Sequence, residues 1–272
     1  MGLMAKMAML HTGKMPVPRL TMKRFLAAIR FLTVLPVAGT LGTREEDLGG
    51  SVPFFPLVGL LLGAAAGLVA WAMAAVVSPI LSAAVLVVVM LAFSGALHMD
   101  GLSDSADGML SSRPRERILE IMKDSHVGAM GVIAIVCVLL VKFASLASVP
   151  AANLWAAALL MPLAGRCAIV THMALLPYAR EQGLGKVFCG GRAVGSAIWA
   201  MAVLAIAAWA MFAWQGLVVV AICAGVSAIL ALYFYRKIGG ATGDTFGAVC
   251  EIVELIPAVV LAAWPLHPRW TL

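Results

Sequence analysis

Long apolar runs separated by short polar segments set the pattern of this chain. The first run extends from about Phe54 to Val77, turns at Ser78–Pro79, and returns as a second run through about Leu97. A second pair covers about Gly128–Val149 and Ala151–Leu175, hinged at Pro150. A third covers about Ser196–Trp214 and Leu217–Tyr235, with Gln215–Gly216 as its hinge. A helix needs about 20 apolar residues to cross a bilayer, so each of these runs predicts a transmembrane helix. Phe25–Pro36 is apolar but too short to cross and predicts a re-entrant or interfacial helix. Leu255–Trp264 is likewise too short to span by itself. Transmembrane β-strands would show as short alternating segments, a pattern this chain lacks. The predicted fold class is therefore all-α: a polytopic helical membrane protein with about six to seven transmembrane helices plus the N-terminal re-entrant or interfacial helix.

The polar segments between the hairpins carry the organisation. His98–His126, Pro177–Gly195 and Arg236–Glu254 hold most of the charge, whereas the hairpin turns are short and uncharged. The positive-inside rule puts the charged side in the cytoplasm, which predicts an integral protein of the cytoplasmic (inner) membrane with its chemistry facing the cytoplasm. Residues 1–24 read as a basic N-terminal extension without a cleavable signal, and 25–272 as a single integral-membrane catalytic domain. Composition agrees: 63% of the residues are hydrophobic and 12% charged, and the mean hydropathy is +1.03. The net charge of +6 lacks a concentrated basic face, so it suits anionic lipid or a phosphorylated substrate and excludes nucleic acid. A homo-oligomer stays open. The five cysteines (Cys137, Cys167, Cys189, Cys223, Cys250) show neither zinc-ligand spacing nor a disulfide framework.

The chemistry is concentrated in carboxylates. Asp100, Asp104 and Asp107 fall at i, i+4 and i+7, within an arc of roughly 60° on a helix. Three carboxylates so placed repel one another unless a cation joins them, and oxygen-only ligands select Mg²⁺ or Mn²⁺. About 140 residues later, Asp244, Glu251 and Glu254 fall within roughly 80° on a helix that Thr242 or Asp244 could cap. Solvated helix ends are the plain alternative for both groups. Two acidic groups on one membrane face predict metal-assisted phosphoryl transfer, in which a carboxylate takes the proton of an attacking hydroxyl. Asp100, Asp104, Asp107 and Asp244 are the predicted metal ligands. Glu251 and Glu254, together with Asp107, are the catalytic candidates, although spacing does not decide which carboxylate is the base.

Arg113, Arg117, Lys123, Arg192 and Thr242 are the predicted phosphate and substrate contacts; surface electrostatics and membrane anchoring explain several of the basic residues equally well. Lys142 and Arg166 lie well inside apolar runs, where a charge is costly unless paired or facing a wet cavity. Arg166 therefore joins the substrate contacts, and a buried carboxylate partner is the alternative for both. His98 and His126 flank the first polar segment as hydrogen-bonding neighbours of the site rather than ligands.

Several blocks together resemble the cobalamin synthase family, the adenosylcobinamide-GDP ribazoletransferases. They are Phe31-Leu-Thr-Val-Leu-Pro36, Phe55-Pro-Leu-Val-Gly-Leu-Leu-Leu-Gly63, the 98–108 acidic segment, Arg117-Ile-Leu-Glu-Ile-Met-Lys-Asp-Ser125, Tyr178-Ala-Arg-Glu-Gln-Gly-Leu-Gly185, and Gly239-Gly-Ala-Thr-Gly-Asp-Thr-Phe-Gly-Ala248. The resemblance implies a Mg²⁺-dependent reaction: the 3′-hydroxyl of α-ribazole, or of its 5′-phosphate, attacks the cobinamide-side phosphorus of adenosylcobinamide-GDP and releases GMP. CDP-alcohol phosphotransferases share part of the acidic pattern, Asp104-x2-Asp107-Gly108, but Ser111–Ser112–Arg113 displaces their arginine by one position. A divalent-cation-coupled transporter is the alternative of a different class; its sites would favour broken helices near the membrane midplane.

Overall fold

The computed structural model describes residues 17–188 and 193–264. The described residues are organised as helices: α1 (Val17–Leu32), α2 (Phe55–Ala74), α3 (Pro79–Ser94), α4 (Leu97–Met109), α5 (Arg115–Ile121), α6 (Ala129–Ser148), α7 (Ala151–Leu175), α8 (Ala193–Phe212), α9 (Trp214–Ile238) and α10 (Gly243–Ala263). Among the described residues six helices are long and apolar enough to cross a membrane, or seven when the bent pair α3–α4 is counted as one span. The protein is thus an all-α, polytopic membrane protein. Leu68, Val88, Ile206 and Ile229 are exposed on its outer surface, as a lipid-facing belt requires.

The bundle is built around α7, which is buried along most of its length and packs against α2, α10 and α8. The α2–α7 contact is set by Gly59, Gly63 and Gly67, one helical turn apart. A β-carbon on Gly63 would sit 2.1 Å from the Leu159 carbonyl oxygen, and one on Gly67 2.9 Å from that of Trp155. Only glycine allows the two backbones this close, which substitutes for the missing hydrophobic drive between helices in lipid.

Three boundaries differ from the hydropathy reading. The third hairpin turns at Ala213 (φ 52°), not at Gln215–Gly216. Gly216 lies inside α9, where a β-carbon would meet the Ala208 carbonyl at 2.1 Å, so that glycine serves close packing of α8 on α9. Leu255–Trp264 is no isolated short piece, because α10 begins at Gly243 and runs through Glu251 and Glu254 as one helix of spanning length. Near the N-terminus, α1 starts at Val17 and crosses the boundary drawn at residue 24, while Arg30 in its last turn donates to the Val37 carbonyl at 2.9 Å.

The acidic segment is also more ordered than a loop. Ser78 caps α3, accepting from the Leu81 amide, and Gly95 ends it in the left-handed conformation (φ 59°). The chain then bends by 90° into α4. Because α4 turns off the axis of α3, we read it as lying at the polar end of the bundle, outside the spanning segments. There the polar segments are tied together. Ala179 N–H donates to the Ala241 carbonyl (2.8 Å) and Ala241 N–H to that of Pro177 (2.9 Å). Arg115 reaches the carbonyls of Ile238 (2.7 Å) and Ala179 (2.9 Å), pinning α5 to both.

Candidate functional site

On α4 the residues facing inward are apolar or small apart from His98, and the outward stripe carries Asp100, Asp104 and Asp107. Glycines bring this helix close to its neighbours. A β-carbon on Gly101 would lie 2.7 Å from the Asp244 carbonyl oxygen, and one on Gly247 2.8 Å from that of His98. The start of α10, with Asp244, is therefore held beside the aspartate stripe. Thr242 sets that start through a capping box: its hydroxyl accepts from the Thr245 amide (3.3 Å), and its own amide donates to the Thr245 hydroxyl (2.8 Å).

Each carboxylate has a different setting. Asp107 accepts from the amides of Gly128 (2.7 Å) and Gly131 (2.8 Å), at the N-terminus of α6, where the helix dipole favours an anion. Asp244 takes the Arg180 guanidinium at 2.7 Å and the Thr242 hydroxyl at 3.3 Å. Asp100 and Asp104 have no hydrogen bond or ion pair among the described residues. Partial burial, followed by the charges of Asp100, Asp244 and Asp107, raises the Asp104 pKa to about 6 against the opposing charge of Arg180. Four carboxylates thus share one field, with Arg180 as the cation set against it.

Among the described residues no three of these groups close around a point where a metal ion could sit. Mg²⁺ keeps several waters and is usually held by one or two carboxylates plus substrate phosphates. The donor set is all oxygen, as a hard cation requires.

Two cavities adjoin the cluster. One, of about 270 Å³, is walled by Phe31, Tyr178, Phe188 and Phe246 and edged by Asp100 and Asp244. The other, of about 450 Å³, is lined by Arg115, Lys123, Arg180 and Glu181. Arg180 lies in the wall of both.

Glu251 and Glu254 are elsewhere. Both are buried within the bundle, with Lys142 bridging them at 2.8 and 2.9 Å and Arg166 bound to Glu254 at 2.5 Å. All four residues are at most 3% exposed. A carboxylate so engaged is poorly placed to accept a substrate proton, and Arg166 is likewise turned from substrate to Glu254. The paired alternative for the two intramembrane cations is the arrangement found. Thr242 is fully buried and spent on the cap, which corrects the expectation that it contacts substrate. Arg113 is exposed, and Arg117 is bound to Glu120 at 2.6 Å on the surface. Lys123 lines the basic cavity, while Arg192 lies outside the described residues. His126 pairs with Asp124 at 2.6 Å on the surface, which raises the histidine's pKa and lowers the aspartate's. His98 lines the aromatic cavity, and burial, followed by Arg166, lowers its pKa to about 3.

Sequence reasoning passed over Arg180, Tyr178, Phe188 and Phe246. Their segments lack the periodicity that would place them, although the 178–185 block contains Tyr178 and Arg180 and the 239–248 block contains Phe246.

Residues 24–262 match the model of the cobalamin-5-phosphate synthase family. The chain belongs to the cobalamin-5-phosphate synthase family. A protein of Geotalea daltonii named adenosylcobinamide-GDP ribazoletransferase is 37% identical over 246 residues, covering 89% of this chain and 98% of its own. Proteins of the same name from Roseiflexus sp. and Pseudomonas putida are each 39% identical, covering 86% and 87% of this chain and 87% and 96% of their own. No solved structure matches the chain. As a cobalamin-5-phosphate synthase family member, the protein is a membrane transferase of cobalamin biosynthesis. Its carboxylate cluster is therefore considered as a site of group transfer.

Proposed function

We propose that this enzyme transfers the adenosylcobinamide phosphate of adenosylcobinamide-GDP to the 3′-hydroxyl of α-ribazole, or of its 5′-phosphate. GMP leaves, and adenosylcobalamin or its 5′-phosphate forms. The observation that carries this reading is the union of Asp100, Asp104, Asp107 and Asp244 at one polar end of a bundle whose relatives bear the name of that reaction. The charge distribution of the loops supports a cytoplasmic-facing site in the inner membrane.

One or two of Asp104, Asp107 and Asp244, together with waters and the donor's diphosphate, would hold Mg²⁺, which when bound neutralises the diphosphate and stabilises the departing phosphate. The amides of Gly128 and Gly131 orient Asp107, and Arg180 orients Asp244. Asp100 borders the aromatic cavity and has no hydrogen-bond or ion-pair partner among the described residues, so it is the carboxylate assigned to the proton of the attacking hydroxyl. The acceptor oxygen forms its bond to the cobinamide-side phosphorus as the bond from that phosphorus to GMP breaks. Lys123 and Arg180, around the basic cavity, neutralise the diphosphate and then the guanosine-side phosphate that leaves as GMP. Purified protein incubated with adenosylcobinamide-GDP, α-ribazole and Mg²⁺ is expected to release GMP in step with cobalamin formation. Absence of GMP across Mg²⁺ and Mn²⁺ concentrations would overturn the reading.

A further inference from the structure

The two cavities differ in chemistry, and that difference divides the two substrates between them. The 270 Å³ cavity has aromatic walls on three sides, from α1 (Phe31), the segment after α7 (Tyr178, Phe188) and α10 (Phe246). Its walls are held by packing: the Phe31 and Phe188 rings lie 4.8 Å apart, and each is 5.8 Å from Phe55. His98 lines the same space, and its Nδ1 is buried without a hydrogen-bond partner. The cavity's charged edge is two carboxylates and one guanidinium, and that guanidinium is already paired with Asp244. Such a field repels a diphosphate and accepts hydroxyl hydrogens. In the 450 Å³ cavity Arg115 and Lys123, beside the same paired Arg180, face one carboxylate, Glu181, which reverses the preference.

We propose that the aromatic cavity seats the planar base of the nucleoside acceptor, with its ribose toward Asp100, and that the basic cavity takes the diphosphate of the donor. This assignment rests on the transferase reading above and adds which space serves which substrate. Aromatic walls stack on any flat base, and a benzimidazole needs few polar partners around its ring. Guanine carries a row of donors and acceptors that the Phe31, Phe188 and Phe246 rings would leave unpaired. The Nδ1 of His98 is a suitable partner for the ring nitrogen or a ribose hydroxyl. The volume suits a nucleoside and is far too small for a corrinoid.

Gly243 provides the test. It lines the aromatic cavity, and a β-carbon built on it meets no atom within 4 Å, so a larger side chain enters open space. Binding of α-ribazole and of GDP to the full chain in detergent would be measured by calorimetry for wild type, Gly243→Ala and Gly243→Leu. Gly243→Leu should weaken α-ribazole by about tenfold or more, as loss of base stacking predicts, and leave GDP within about twofold. Gly243→Ala should fall between wild type and Gly243→Leu. Free benzimidazole should displace α-ribazole from wild type and leave GDP bound, a result that needs no variant to fold. Weakened GDP with unchanged α-ribazole, or neither ligand affected by Gly243→Leu, would overturn the assignment. Wild-type protein that binds neither ligand would overturn the transferase reading itself, and this assignment with it.

Discussion

Removing Lys142 separates a structural ion network from a catalytic one. Its ammonium is fully buried and makes two charge-assisted hydrogen bonds, at 2.8 Å to Glu251 and 2.9 Å to Glu254. Hydrogen bonds to charged groups contribute about 1.5–3 kcal/mol each, and removing one partner of a buried pair costs about 3–5 kcal/mol because a charge is left uncompensated. Glu254 retains Arg166, so the orphan in Lys142→Met is Glu251. Lys142→Met should therefore destabilise the protein by about 3–5 kcal/mol. Reversible unfolding in mixed micelles of dodecyl maltoside and SDS would measure this. Adding Glu251→Gln neutralises the orphan and should recover about 1–3 kcal/mol of the loss. Glu251→Gln alone should keep turnover within about tenfold, whereas loss of an essential proton acceptor costs about 10²–10⁴-fold. Lys142→Met with stability within about 1 kcal/mol of wild type, or Glu251→Gln with turnover abolished, would refute the reasoning.

Asp104→Asn should leave the melting profile in detergent near wild type and cut GMP release by at least about a thousandfold, because a half-buried metal-facing carboxylate is lost. Gly131→Ala should impair turnover by disturbing Asp107, since its β-carbon would lie 2.4 Å from both Asp107 Oδ2 and Ser103 Oγ; GMP release measured beside thermal melting would show activity lost ahead of the fold. Chelation with EDTA should abolish GMP release, and added Mg²⁺ should restore it. The Mg²⁺ concentration for half-maximal activity should rise as pH falls through about 6, because a raised carboxylate pKa means the ligand binds a proton below that value and is free to bind metal above it.

The carboxylate stripe of α4 was legible because a spacing of four and three residues survives as geometry whenever the segment is helical. The hairpins were legible because lipid demands runs of a given length. Glu251 and Glu254 were misread for a related reason. In sequence two acids interrupt an apolar run and look like its aqueous end, but Lys142 and Arg166 arrive from other helices and allow the run to continue as α10. Gly216 looked like a hinge because glycine often is one, whereas here it lets two helix backbones meet.

The sequence by itself determined the helical class, the apolar spans, the sidedness of charge and the three aspartates of α4, since each follows from periodicity or length along one segment. Only the tertiary structure decided which carboxylates share a field and which are spent on buried cations. It also showed that Arg180 joins an acidic cluster to two cavities. The ion pairs among those outcomes join residues separated by 64 to 112 positions, and Asp244 meets the α4 stripe from still further along the chain, whereas a single segment's pattern carries no record of its partner.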